Sequence, residues 1–138
     1  MADKKIHFKI ITHDKLVYED DVDAVYTKGV DGEFGVLIDH TPFMSALDIG
    51  VTKIEKGSEI EYFSTIGGVF QFKNNAAVIL TETAERGRDI DIPRAQNAKE
   101  RAEARLGTSD IQQDVQRANI ALAKAMARLK AAKKINKI

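Results

Sequence analysis

The chain has 138 residues; 21 Lys/Arg balance 21 Asp/Glu, and 43% of its residues are hydrophobic. That is the composition of a folded chain rather than a disordered one, and the length suits one small domain with an appendage. Absence of cysteine removes disulfides, thiolate metal sites and a thiol nucleophile. The start, Met1-Ala2-Asp3-Lys4-Lys5, lacks a signal-peptide core, and no apolar run approaches the ~20 residues of a membrane span, so a cytoplasmic protein is expected.

Strand patterns come first in chain order. Ile6, Phe8 and Ile10 alternate with Lys5, His7 and Lys9, and Val22, Ala24 and Tyr26 alternate in the same manner over 21–26. Further strands are predicted over 51–55, 59–66, 69–73 and 76–81. Turn signals separate them at Lys56-Gly57-Ser58, Gly67-Gly68 and Lys73-Asn74-Asn75. Many short strands with close turns and no helical pattern between them predict an antiparallel sandwich or barrel over residues 1–86.

Past Gly87 the character changes. Residues 1–86 hold 9 basic and 15 acidic side chains, whereas 87–138 hold 12 and 6. All nine Phe and Tyr residues lie before Gly87, as do seven of the nine glycines. Asp89 or Asp91 can cap a helix, with Pro93 tolerated in its first turn. Ala95, Ala98, Ala102 and Leu106 then form an apolar stripe that ends at Gly107. A second helix, started by Ser109 or Asp110, carries Ile111, Val115, Ala118, Leu122, Ala125, Leu129 and Ala132 at alternating spacings of four and three. Residues 87–138 are therefore predicted to be a helical hairpin of two antiparallel helices. Its alanine-rich seams bury little area, so it should be marginal alone and easy to detach.

Motifs for catalysis are missing. His7, His13 and His40 have no metal-ligand spacing, and no H-E-x-x-H, G-x-S-x-G or P-loop pairing occurs, so neither catalytic nor metal-binding residues are assigned. His7 and His13 read as exposed or edge residues, and Glu19-Asp20-Asp21 with Asp23 as a solvated strand edge or loop.

Two segments stand out. Gly32-Glu33-Phe34-Gly35-Val36-Leu37-Ile38-Asp39-His40-Thr41-Pro42 reads as a rigid loop that presents Glu33 and His40, an ordinary hairpin turn being the alternative. The second is Ile90-Asp91-Ile92-Pro93-Arg94-Ala95 with Arg101, Arg105, Lys124 and Arg128 beyond it. Closing the hairpin would gather four or five of these cations with few carboxylates to neutralise them, which suits a phosphate-bearing anion.

On these segments, together with Ser64-Thr65-Ile66-Gly67-Gly68, essentially the whole chain resembles the epsilon-subunit family of bacterial F-type ATP synthases. Its Pro-Gly or Pro-Asn before the histidine is Ile38-Asp39 here. The resemblance implies a subunit with no catalytic site of its own, on the cytoplasmic face of the cell membrane and peripheral to it. The sandwich of residues 1–86 would sit on the central stalk and touch the membrane ring, with Glu33 and His40 facing the ring and the gamma subunit. The hairpin of residues 87–138 would be a regulatory element that restrains ATP hydrolysis and reaches the catalytic head when extended. By the same resemblance ATP is a regulatory ligand, with no cofactor required. Its pocket matches Glu85, Ile90, Asp91, Arg94, Ala95, Arg101, Lys124 and Arg128, and Lys124 stands where relatives tend to carry arginine.

Two rival classes are a nucleic-acid binder using Lys130, Lys133, Lys134 and Lys137, and a small-molecule-binding sandwich with an incidental hairpin. The acidic sandwich and a tail without aromatics argue against the first.

Overall fold

The computed structural model describes residues 4–108 and 110–136, with side chains up to Lys133. Eight strands precede two helices: β1 (Ile6–Ile11), β2 (Leu16–Val22), β3 (Ala24–Gly29), β4 (Gly32–Leu37), β5 (Phe43–Lys56), β6 (Glu59–Lys73), β7 (Ala76–Leu80), β8 (Ala84–Arg86), α1 (Ile92–Thr108) and α2 (Gln112–Asn136). The strands hydrogen-bond in the order β2-β1-β7-β6-β5-β3-β4, with β8 on β6. Every pairing is antiparallel except β1 with β7. The sheet folds over a core containing Ile6, Phe8, Ile10, Val25, Ile54, Phe63, Phe70, Phe72 and Ile79.

Several boundaries differ from the sequence reading, each for a local reason. The alternation over 21–26 is cut at Asp23 into the end of β2 and the start of β3, where the Asp23 carboxylate accepts from the Gly57 amide at 2.6 Å. Gly67-Gly68 is no turn. Both residues have positive φ inside a 15-residue β6, where they bend one strand from pairing with β8 to pairing with β7. A Cβ on Gly68 would lie 1.9 Å from the Leu80 carbonyl oxygen, so only glycine permits that approach. The Asn74-Asn75 turn stands as read: both residues take φ near +55° (51° and 58°), the left-handed pair that a two-residue hairpin requires.

Residues 32–42 are the largest correction. Gly32–Leu37 is strand β4, paired along its length with β3, so the first half of this segment belongs to a hairpin and not to a presenting loop. The alternation of Glu33, Phe34, Gly35 and Val36 was masked by its two glycines. Only residues 38–42 form a loop. There Asp39 takes φ 62°, the conformation that glycine and asparagine adopt most readily, and its carboxylate and amide exchange two hydrogen bonds with the Asn75 side chain at 2.9 and 2.7 Å.

In the helical part, Asp91 rather than Asp89 is the cap: its carboxylate accepts from the Arg94 amide at 3.1 Å, and its carbonyl accepts from Ala95. Asp89 belongs to a 3-10 turn over Gly87–Asp89. The first helix runs through Gly107 to Thr108, whose hydroxyl donates back to the Ala104 carbonyl. The second begins at Gln112, where the Val115 amide donates to Ile111, two residues later than read. Ser109, the alternative cap, lies outside the described residues. Within the expected seam Ala118, Ala125, Leu129 and Ala132 are buried, whereas Ile111 is exposed at the open end.

Candidate functional site

The hairpin reaches the sandwich through α2, which lies against β5 and β6 while α1 packs on α2. Core-facing Phe63 and Thr65 leave Tyr62 and Ser64 on the opposite face of β6, the face that α2 covers. Ile90, Ala95, Leu129, Ala131 and Ala132 are buried there, with Val51, Tyr62 and Ile92 packed against them. Leu129 and Ile90 are the large side chains fully committed to the cluster. Burial of each contributes about 1.5–3 kcal/mol, and an alanine methyl only about 0.8 kcal/mol.

Two ion pairs tie one flank of α2 to the end of the sandwich. Arg128 Nε donates to Glu85 Oε1 at 2.6 Å, and Lys124 Nζ to Glu82 Oε1 at 3.3 Å. Their side chains are 30–65% exposed, so solvent screening keeps each pair at the weak end of the surface range. The expectation of cations with few carboxylate partners is thus corrected for Lys124 and Arg128. Glu82, which the sequence reading passed over, stands three residues before Glu85, just ahead of a three-residue strand too short to show a pattern.

The remaining matched residues fall into two groups. Ile90 and Ala95 are buried at the base of the hairpin, and Asp91 is occupied in capping α1. Arg94 and Arg101 are exposed, and among the described residues neither has an ion pair. Because α1 and α2 are antiparallel with Ala95 beside Leu129 and Ala132, Arg101 stands level with the Lys124–Arg128 turn. The structure therefore joins Glu85 with Arg128 and Ile90 with Ala95. It does not gather all four cations around one point.

Glu33 and His40 are also separated. Glu33 is the second residue of β4, opposite Lys28, and Leu37 closes the strand about 13 Å further along at the rise of a strand. His40 follows, its ring edge-on to Phe43 and Phe72 at 5.9 and 5.8 Å between centroids, and its Nδ1 2.8 Å from the Thr41 carbonyl oxygen. A proton on Nδ1 satisfies that oxygen.

Among the described residues no cluster of three His, Asp or Glu side chains could hold a metal ion, and no helix is long and apolar enough to cross a membrane.

Comparison with known proteins matches both parts of the chain. Residues 5–87 match the beta-sandwich domain of the ATP synthase delta/epsilon chain, and residues 88–133 its long alpha-helix domain. An ATP synthase epsilon chain of Desulforamulus reducens is 42% identical, over 89% of this chain and 93% of its own length. One from Nitratidesulfovibrio vulgaris is 43% identical, over 93% and 96%. A chain in the cryo-EM structure of Euglena gracilis mitochondrial ATP synthase (OSCP/F1/c-ring) superposes with a TM-score of 0.83. That match covers 95% of this chain and 82% of the other at 24% identity, a likeness of fold alone. With both domains matched in order and bacterial relatives aligned over nearly their whole length, the chain belongs to the ATP synthase delta/epsilon chain family, among its epsilon chains.

Proposed function

We propose that this chain is the non-catalytic central-stalk subunit that joins the catalytic head of an F-type ATP synthase to its membrane ring. It supports ATP synthesis driven by an ion gradient and restrains ATP hydrolysis through its hairpin. The sandwich binds the gamma subunit and the ring at the end that carries His40, with Glu33 on the flank of β4. The complex holds the subunit at the cytoplasmic face of the cell membrane, peripheral to it, and nucleic acid is not a partner. The observation that carries the regulatory part is the thin attachment of the hairpin: two large buried apolar side chains, three partly buried ones, several alanines and two exposed ion pairs. An element held this loosely can exchange between a docked and an extended state at small cost.

ATP is the regulatory ligand that favours docking. Ile90, Asp91 and Ala95 form the base of its site; Arg94, Arg101, Lys124 and Arg128 supply charge, and Glu85 holds Arg128. Phosphate binding would draw Lys124 and Arg128 from their carboxylates, which offsets part of the gain. Charge-assisted bonds contribute about 1.5–3 kcal/mol each, so Arg94→Ala should weaken ATP binding roughly ten- to a hundredfold by calorimetry. Unchanged affinity would place the nucleotide elsewhere.

A further inference from the structure

The two flanks of α2 carry opposite electrostatic arrangements. On the flank toward β8 the sandwich offers Glu82 and Glu85 to Lys124 and Arg128. On the other flank lies an open groove of about 1040 Å³, which places Lys28 and Lys53 of the sandwich with Lys99, Lys130 and Lys133 of the hairpin around a single carboxylate, Glu33. Lysine faces lysine across a joint that is otherwise weakly held.

The floor between them is built flat. A Cβ on Gly35 would come within 2.3 Å of the Tyr26 ring, and one on Gly50 within 2.9 Å of the Lys28 side chain. Glycine at these two positions lets the ring and the lysine stem lie down on the sheet. Lys53 Nζ then sits 5.5 Å above the Tyr26 ring, and Tyr62 and Met126 extend the apolar floor toward α2. An apolar floor beneath ammonium groups lowers the local dielectric and strengthens what they bind. The carboxylates already near the sandwich lysines compete weakly: Asp48 is 3.9 Å from Lys28, and Glu55 is 3.3 Å from Lys53, both at the exposed surface.

We propose that this groove binds a small polyphosphate anion, which latches the hairpin to the sandwich. Its phosphates bridge lysines of the two parts and replace their mutual repulsion with attraction to a shared ligand. Because the sandwich contributes two lysines and the hairpin three, the complete site exists only in the docked state, and the anion stabilises docking by mass action. The site is separate from Arg94 and Arg101 and does not depend on the nucleotide reading.

The test uses inorganic tripolyphosphate with the full chain, by calorimetry at constant ionic strength. Lys53→Gln with Lys130→Gln should weaken its binding about tenfold or more, since two charge-assisted contacts are lost. Lys15→Gln with Lys73→Gln, which lower the charge equally away from the groove, should leave it unchanged. Hydrogen exchange of α2 should slow on adding tripolyphosphate to the parent and not to the Lys53/Lys130 variant. Equal weakening by both lysine pairs, no weakening by Lys53→Gln with Lys130→Gln, or no saturable binding would each overturn the proposal. ATP titrated into the same variants separates its failure from that of the nucleotide site.

Discussion

His7 shows how a residue read as merely exposed acquires a role from its neighbours. It lies on β1 opposite Asp21 of β2, and its ring bridges two carboxylates: Nδ1 is 2.9 Å from Asp21 and Nε2 is 2.6 Å from Glu19. Those hydrogen bonds, Asp21 first, raise its pKa above the usual 6.5. The protonated ring is therefore favoured by folding, and its contribution is complete below pH 6.5 and lost as pH rises through the raised value. Since the ring is half exposed, the effect is small and sensitive to salt. The melting temperature of the parent should exceed that of His7→Asn most at about pH 6, and the gap should close by about pH 9. A gap that widens with pH would mean that neutral His7 is the stabilising form. Asp20 and Asp23 work in the opposite sense: hydrogen bonds from Lys56 and Lys5, respectively, lower their pKa values, so their contribution disappears only on acidification.

Among the elements, β6 and α2 decide how the hairpin sits, and the buried Ser64 at their contact is the telling detail. It is 1% exposed, and its Oγ has no hydrogen-bond partner among the described residues. Lifting α2 would return that hydroxyl to water, so docking bears a desolvation cost of about 1–3 kcal/mol. Ser64→Ala should remove it and favour the docked state roughly tenfold, read as slower amide exchange along α2 with exchange in β1 and β7 unchanged. Faster or equal exchange would show that the hydroxyl is not a burden. None of this could be read from the sequence, where Ser64 is one polar residue in an alternating run. The strands with clear alternation, β1 and β7, and the seam of α2 were legible because one face of each is buried. The elements that escaped were β4 and the middle of β6, whose patterns glycine interrupts, the very short β8, and β2, whose run Leu16–Val22 carries three consecutive acidic residues and little burial. The site divided similarly: its motif was plain in sequence, but the partners of Lys124 and Arg128 come from about 40 residues away, a pairing that only the fold establishes.

At the scale of the whole molecule, a well-packed sandwich carries a lightly attached hairpin, and the difference in packing is what makes the proposed regulation possible. The sandwich core includes four fully buried phenylalanines, whereas the contact beneath α2 rests on Leu129, Ile90 and alanines with the partly buried Val51, Tyr62 and Ile92. Opening the hairpin, as proposed, would therefore leave the sandwich intact, and the chain would change state without unfolding. A ligand bound only to the docked form adds RT ln(1 + [L]/Kd), about 2.7 kcal/mol at a hundredfold excess over Kd, comparable to the contribution of one buried leucine. In the proposed regulation that contribution would disappear when ATP falls, and the extended state would gain. In that proposed state the basic side of α2 would face the catalytic head, where attraction to acidic surface would weaken with added salt. Removal of residues 89–138 from the assembled complex tests the regulatory reading. The shortened chain should fold and still bind gamma, since β8 ends before the cut. Hydrolysis at low ATP should rise while synthesis is retained. Loss of gamma binding would make the hairpin the anchor, and unchanged hydrolysis at low ATP would reduce it to a brace on the stalk.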